Sequence, residues 1–519
     1  MFLTPRSILF VVFSLLAAGC DSSGGDPFDP QINPDVPEPV TSGCARRVAP
    51  VAHIEPVVSV GDGTAGSCTE ESLVAAADLL AEGGTLTFDC GAEHTINLTG
   101  ALHLSSGADN TLVIDGGGVI TLSGQGITRI LDLDHYTNLV VQNITLSDGF
   151  VAAGSDDGDP VNSGAAIRHP WYGTLRAIDV FFLNNHCESR DAEIGGGAIY
   201  AGGLDEAVLS GCVFANNSAS NGGGILNRGS TLTIVDTVFF SNEATGRGEA
   251  GQYGNGGGVY IDGMNYDTPG DLYVCGAVFE ENTANTHGSG MLAYFYEGSA
   301  AVIDRSLFAR NSFGMEGRGS GGLYHESVHL DLTNSTFSEN QGLHAGAFFL
   351  ASGSDARIEN CTFSHNSAVM NGAAIFNGAS TGQIKGCTFV GNDADWGPAV
   401  FTGESATMSV QNTIFAYNST YSTYAPLACT STLDDQGGNL QWPDLRGSGS
   451  GDNPCTEGIT FADPLLEPLD DNGGFTPTAT LPAGSPAVDF TTDCSPEDQR
   501  GETRQGECDS GAYEYVGAL

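Results

Sequence analysis

The sequence predicts an all-β fold, a single-stranded right-handed parallel β-helix with an N-terminal cap helix and an irregular C-terminal cap. Three observations predict it. Nine phenylalanines, Phe182, Phe214, Phe239, Phe279, Phe308, Phe337, Phe363, Phe389 and Phe415, each carry an asparagine three residues later, at successive spacings of 32, 25, 40, 29, 29, 26, 26 and 26 residues. A pattern returning at such intervals marks a repeat architecture in which each unit stacks on the last. Glycine supplies 73 of the 519 residues without a three-residue period, and there are only 21 prolines, so turns are frequent and collagen is excluded. One segment alone, Glu71 to Glu82, has a clear helical apolar period. A β-propeller needs roughly 40 to 50 residues per blade, and three consecutive spacings of 26 are too short for it.

Along the chain, residues 1–19 hold one basic residue, Arg6, then the apolar run Ile8 to Leu16 and small residues. That is the layout of a secretory signal, and the run is too short to span a bilayer. Leu16-Ala17-Ala18-Gly19-Cys20 resembles a bacterial lipobox, which implies lipid on Cys20; the alternative is ordinary cleavage that leaves Cys20 a chance thiol. Residues 20–66 read as a flexible lipid-anchored tether, rich in Ser, Gly, Asp and Pro up to Pro50. The solenoid is assigned to 67–425, with the 71–82 helix, closed by Gly83-Gly84, covering its open first edge. Residues 426–519 are assigned to the C-terminal cap.

Each repeat has a physical reading. A strand such as Leu232 to Val235 runs into Asp, Asn or Gly three residues before the phenylalanine, types that tolerate a left-handed backbone. Asp179, Asp236, Asn334, Asn360 and Asn412 stand there, as Asn143 stands three residues before Leu146; Arg305 is the exception. Period-2 alternation puts the phenylalanine and a small residue two before it, such as Cys212, Cys361 or Cys387, on the same interior face. The trailing asparagines are expected to stack from coil to coil. A glycine-led strand follows, as in Gly197-Ala198-Ile199-Tyr200 and Gly322-Leu323-Tyr324.

Cys68 with the cap helix, Thr111 to Gly116, the Phe-Asn coils and the closing segments Asp463 to Leu466, Asp471 to Thr478, Leu481 to Asp489, Asp498 to Gly501 and Asp509 to Tyr515 carry a family resemblance. Over residues 68 to 515 the chain is similar to bacterial pectin-lyase-like β-helix surface proteins with a choice-of-anchor Q type C-terminal region. The resemblance implies an extracytoplasmic surface protein on the outer membrane or cell surface, and it supplies no catalytic motif. Many such proteins end in a separate anchor; the lipid on Cys20 is expected to replace it here.

Composition narrows the function. Against 63 acidic residues stand 17 basic ones, a formal charge of −46, so nucleic acid is not an expected partner. The protein is expected to be monomeric, held to a membrane through its lipid, and to meet a polysaccharide or a surface protein. Cys212, Cys361 and Cys387 are read as inert core thiols, because stacked parallel side chains do not readily reach disulfide torsions. Cys68 with Cys90, Cys429 with Cys455 and Cys494 with Cys508 are candidate loop-closing pairs, with connectivity left open. No Cys/His spacing suggests zinc.

Two functions compete. The first is a non-catalytic adhesion or glycan-binding module. Tyr200, Tyr260, Tyr324, Phe348, Phe376 and Phe401 are expected to face outward in one line, joined by Trp171, Tyr172, Tyr294, His325 and Glu326. An exposed aromatic row marks a binding surface, with stacking on sugar rings its use; the competing reading is that long loops cover it. The second is a polysaccharide lyase or hydrolase of the pectate-lyase-like type, which implies calcium on acidic loops such as 155–159 and 262–271 and an arginine as base. Arg168, Arg228 and Arg318 are the basic residues near those loops, and Arg168 and Asp262 are the catalytic candidates. The acidity favours binding, with calcium as the one cofactor in view.

Overall fold

The computed structural model describes residues 36–39, 41–154, 160–191, 193–246, 253–263, 270–314 and 319–517. The signal run, Cys20, the 155–159 loop and Arg318 lie outside them. The chain winds into a parallel solenoid of about 13 turns. Its strands form a 25-stranded sheet that bends at each left-handed turn, an 11-stranded sheet led by the glycines, and a short 9-stranded sheet. One coil shows the plan: Val259–Asp262 in the glycine-led sheet, Leu272–Cys275 and Val278–Glu280 on either side of the bend, then Thr283–Ala284 in the short sheet.

The repeat is built as its residues dictate. All nine phenylalanines are fully buried, and each stacks on the next at 4.4 to 5.1 Å between ring centroids, the spacing that coil pitch imposes. The asparagines form an unbroken ladder from Asn185 to Asn418. Each Nδ2 up to Asn392 donates to the Oδ1 of the next coil at 2.9 to 3.0 Å, as from Asn340 to Asn366 and Asn366 to Asn392. Each also donates to a carbonyl of the preceding coil, such as Phe337 O from Asn366 at 2.9 Å, so these buried amides are satisfied. The bend residues are left-handed, with φ of 52° at Asp179, 47° at Asp236 and 51° at Asn360. Arg305 adopts φ 48° despite its bulk, a conformation that costs an L-residue roughly 1 to 2 kcal/mol.

The one α-helix of the described residues, Glu70–Asp78, starts with a Thr69–Ser72 capping box and buries Leu73, Ala76 and Ala77. No helix among the described residues is long and apolar enough to cross a membrane. The first coil strand, Val57–Val60, lies upstream of the helix and pairs with Gly84–Phe88. Residues 41–66, read from composition as flexible tether, are therefore part of the folded body. Composition does not predict this, because the segment has no apolar period of its own: Val48 and Val51 pack against the cluster of Val113, Val140 and Ile178, and hydrogen bonds and one disulfide fix the rest along the coils.

It runs as a strap along the bend. Ile54 N donates to Thr85 Oγ1 at 2.6 Å, Val51 N to Gln142 Oε1 at 2.8 Å, Val48 N to Ser210 Oγ at 3.1 Å and Arg47 Nη1 to Asp236 at 2.8 Å. Cys44 is bonded to Cys275. The solenoid also outlasts residue 425: Asp434–Asp435, Leu440–Trp442 and Thr460–Phe461 continue the bent sheet. Beyond Phe461 the chain lays a second strap on the same bend. Thr336 donates to Pro477 O at 2.7 Å, Thr362 to Gln499 at 2.6 Å and Asn412 to Asp509 O at 3.1 Å. The straps meet at Arg305, whose Nη1 donates to Ser42 O at 3.2 Å while its guanidinium lies 4.8 Å from the Phe475 ring centre. That junction accounts for an arginine in a turn that Asn or Gly would fill at less cost.

Cys68–Cys90, Cys429–Cys455 and Cys494–Cys508 are disulfides, and Cys187, Cys212, Cys361 and Cys387 are free and buried. The Cys44–Cys275 bond was not among the candidate pairs: its partners are 231 residues apart and meet only because the strap returns along the bend.

Candidate functional site

The glycine-led sheet faces away from the bend that carries the straps. Its strands alternate in and out. Ile199, Ile225, Val259, Met291, Leu323, Phe348, Ile375 and Val400 align on the inward side. Their outward neighbours Arg168, Tyr200, Leu226, Tyr260, Leu292, Tyr324, Phe349, Phe376 and Phe401 form one row. A second outward row is Pro170, Gly202, Arg228, Asp262, Tyr294 and Glu326. Phe348, expected outside, is inside and fully buried, and Phe349 takes its place. Two adjacent phenylalanines satisfy either face, and register with Leu323 and Ile375 decides between them.

The aromatic row does not offer ring faces. Tyr324, Phe349, Phe376 and Phe401 stack on one another at 5.1, 4.5 and 4.7 Å, with planes 25°, 26° and 10° apart. Their faces are used between coils and their edges point out. Further toward the N-terminus, Leu226 and Leu292 flank Tyr260 in the same way. His287 packs 4.7 Å from Tyr324 and has its pKa lowered to about 4 by burial, with His344 adding to the effect, so it is neutral near pH 7.

The polar part of the face centres on Arg228. Its guanidinium bonds Glu193, and its Nε lies 3.6 Å from Asp262. The Tyr200 ring lies over Gly202, where a Cβ would come within 2.7 Å of it, and the residue is only 1% exposed. Burial raises the Tyr200 phenol pKa, opposed by Arg228. Burial likewise raises Tyr260, reinforced by the Asp262 and Glu193 charges. Tyr324 is raised by burial and by Glu326, to which its hydroxyl donates at 2.6 Å. Tyr294 and Tyr296 meet edge to face at 5.2 Å, and Tyr296 is pushed up to about 12 by partial desolvation and by Tyr294.

Residues 251–419 match the family model described as right handed beta helix region. The chain is a parallel β-helix protein. No curated protein is similar enough to the chain to count as a match. The fold it shares is common to pectate-lyase-like enzymes and to surface proteins, so the residues on the face decide what can be argued.

The β-helix brings some of the expected site residues together and separates others. Tyr200, Tyr260, Tyr294, Tyr324 and Glu326 share the outer face. Tyr200, expected to be exposed, is buried by its neighbours. His325 is not on that face at all: alternation turns it into the bore, fully buried, with Nε2 2.9 Å from Val328 O and a pKa lowered to about 4 by burial. Trp171 and Tyr172 lie past the strand end, where Trp171 covers Gly203 and Tyr172 stacks on Tyr136 at 4.8 Å. Arg168 and Asp262 are three strands apart, about 14 Å of sheet, and Arg168 Nε is held by Asp132 at 2.5 Å. They do not form one catalytic pair. Glu193 was missed because it belongs to a turn, not to the strand pattern. Among the described residues no group of three or more His, Cys, Asp or Glu is placed to hold a metal. A hollow of about 470 Å³ lies where the straps meet, lined by Ser42, Val278, Arg305, Leu307 and Phe475 among others, away from this face.

Proposed function

We propose that the protein is an extracytoplasmic, lipid-anchored glycan-binding β-helix whose ligand surface is the outer face of the glycine-led sheet. The observation that carries this reading is the pair of outward rows, in which phenol hydroxyls, carboxylates and a guanidinium recur at coil spacing from Tyr200 to Glu326. Because the ring faces are taken up between coils, contact with sugar is through ring edges and hydroxyls rather than by stacking. Four disulfides support an oxidising compartment, and the apolar run ending at Cys20 supports lipid attachment. Lyase or hydrolase chemistry has less support, since Arg168 is held by Asp132 and Arg228 by Glu193.

The test is retention of the purified protein on a panel of neutral and acidic polysaccharides, with calcium or chelator, alongside assay for new reducing or unsaturated ends. Retention without new ends, weakened by Tyr260→Phe and Tyr324→Phe, is the expected result. New ends that vanish in Asp262→Asn or Arg168→Gln would overturn it in favour of an enzyme. Palmitate labelling that persists in Cys20→Ala would overturn the lipid anchor.

A further inference from the structure

One cluster on this face holds hydrogen-bonding capacity that the folded chain does not use. The Tyr200 ring crosses Gly202 and brings its hydroxyl beside Arg228, which occupies the Gly202 register position one coil on. That hydroxyl is buried beside the Arg228 guanidinium and donates to no acceptor, and Nε of Arg228 makes no hydrogen bond, only the 3.6 Å ion pair with Asp262. Buried polar groups are nearly always fully bonded, so a phenol that donates to nothing beside an incompletely bonded guanidinium calls for an explanation. Carboxylates stand on both sides, Glu193 bonded to the guanidinium and Asp262 3.6 Å from Nε. Glu193 is the movable member: its side chain is 43% exposed and comes from a turn, whereas Arg228 and Asp262 are 13% exposed on strands.

We propose that Glu193 turns aside to give a ligand access to the Tyr200 hydroxyl and Arg228 Nε, and that Tyr200, Arg228, Glu193 and Asp262 form a subsite that reads two adjacent hydroxyls of an uncharged sugar. A sugar hydroxyl both donates and accepts. The carboxylates accept its hydrogen bond, while the guanidinium and the phenol donate to its oxygen, so neighbouring hydroxyls are matched by neighbouring partners. Two carboxylates against one guanidinium leave the subsite negative within a chain of formal charge −46. Uronate, sulfate and phosphate groups are repelled there, and no bridging cation is needed for a neutral ligand. The proposal rests on the glycan-binding reading and names the sugar class it takes.

Affinity electrophoresis of the full chain through gels containing xylan, mannan, a β-glucan, polygalacturonate or alginate, all with chelator, separates the outcomes. At least one neutral polymer should retain the protein. Tyr200→Phe and Glu193→Gln should each weaken that retention by about tenfold, the scale of one hydrogen bond to a charged group, with melting temperatures unchanged. Methyl glycosides that lack one of two adjacent hydroxyls should compete less well than the parent. Retention equal in both variants, or uronate polymers held as strongly in chelator, would overturn the subsite while leaving glycan binding intact. No retention on any polymer would overturn the glycan reading and the subsite with it.

Discussion

Two aromatic ladders run along this β-helix, one inside the bore and one on the outer face of the glycine-led sheet. Their ring spacings are the same, 4.4 to 5.1 Å inside and 4.5 to 5.1 Å outside. Coil pitch therefore sets the stacking in both, and an outward aromatic row in a solenoid is not by itself a stacking platform for a ligand. What differs is the company of the ring edges. Inside, rings such as Phe363 are fully buried and sit three residues from a saturated asparagine ladder. Outside, the edges of Phe349, Phe376 and Phe401 are part-exposed, and the tyrosines end in hydroxyls.

The comparison can be broken at its strong end first. Phe363→Ala removes a ring stacked on both sides and should cost about 3 to 5 kcal/mol in denaturant unfolding, as cavity-forming substitutions do. Phe376→Ala, at the equivalent place outside, should cost less than half of that; equal losses would mean that the outer row is a second core. Asn366→Ala strips the Oδ1 that receives both the amide and the side chain of Asn340, and leaving them unpaired should cost about 1 to 3 kcal/mol. Tyr324→Phe keeps the outer stack and deletes the bond to Glu326, so a change within about 1 kcal/mol is expected in the same unfolding assay.

The last test lies in the C-terminal strap and is read as a change with pH rather than as a single loss. Asp509 has its carboxyl pKa raised to about 6, first by burial and then by the Glu514 charge, against bonds from Tyr515 and Asp489 amides. A carboxyl raised in the folded state stabilises below its unfolded pKa, near 3.8, and that contribution fades as pH climbs through about 6. The melting temperature of the parent should thus fall relative to Asp509→Asn between pH 4 and pH 7. A constant difference across that range would refute the assignment.

Much of the fold was legible because each repeat states its own geometry. Phenylalanine, small residue, bend residue and asparagine occupy fixed offsets, and the structure uses all four. Phe348 and His325 show the limit: a strand tells which residues alternate, but only register with the neighbouring coil tells which of two apolar neighbours goes in. The straps were illegible for a different reason. Residues 41–56 and 476–515 have no periodicity of their own, and their partners are set by the bends of coils far away in the chain, such as Asp236 for Ser42. Within the site, the strand-borne tyrosines could be found from alternation, whereas Glu193 and the role of Gly202 depend on how a turn and a ring fold over the sheet.

The N-terminal strap decides where a pull on the molecule is felt. Tension applied upstream of Thr41 does not reach the coil at Val57–Val60 first; it enters through Cys44 at Cys275. The coils that begin at Val57, Gly84, Thr111, Asn138, Thr174, Glu206 and Thr231 all precede that point in the stack. A solenoid pulled from its end can peel one coil at a time, because each coil holds only its neighbours. Pulled at its waist, this one must shear several strand ladders together. The strap makes the load path short and leaves the first coils, with their helix, outside it.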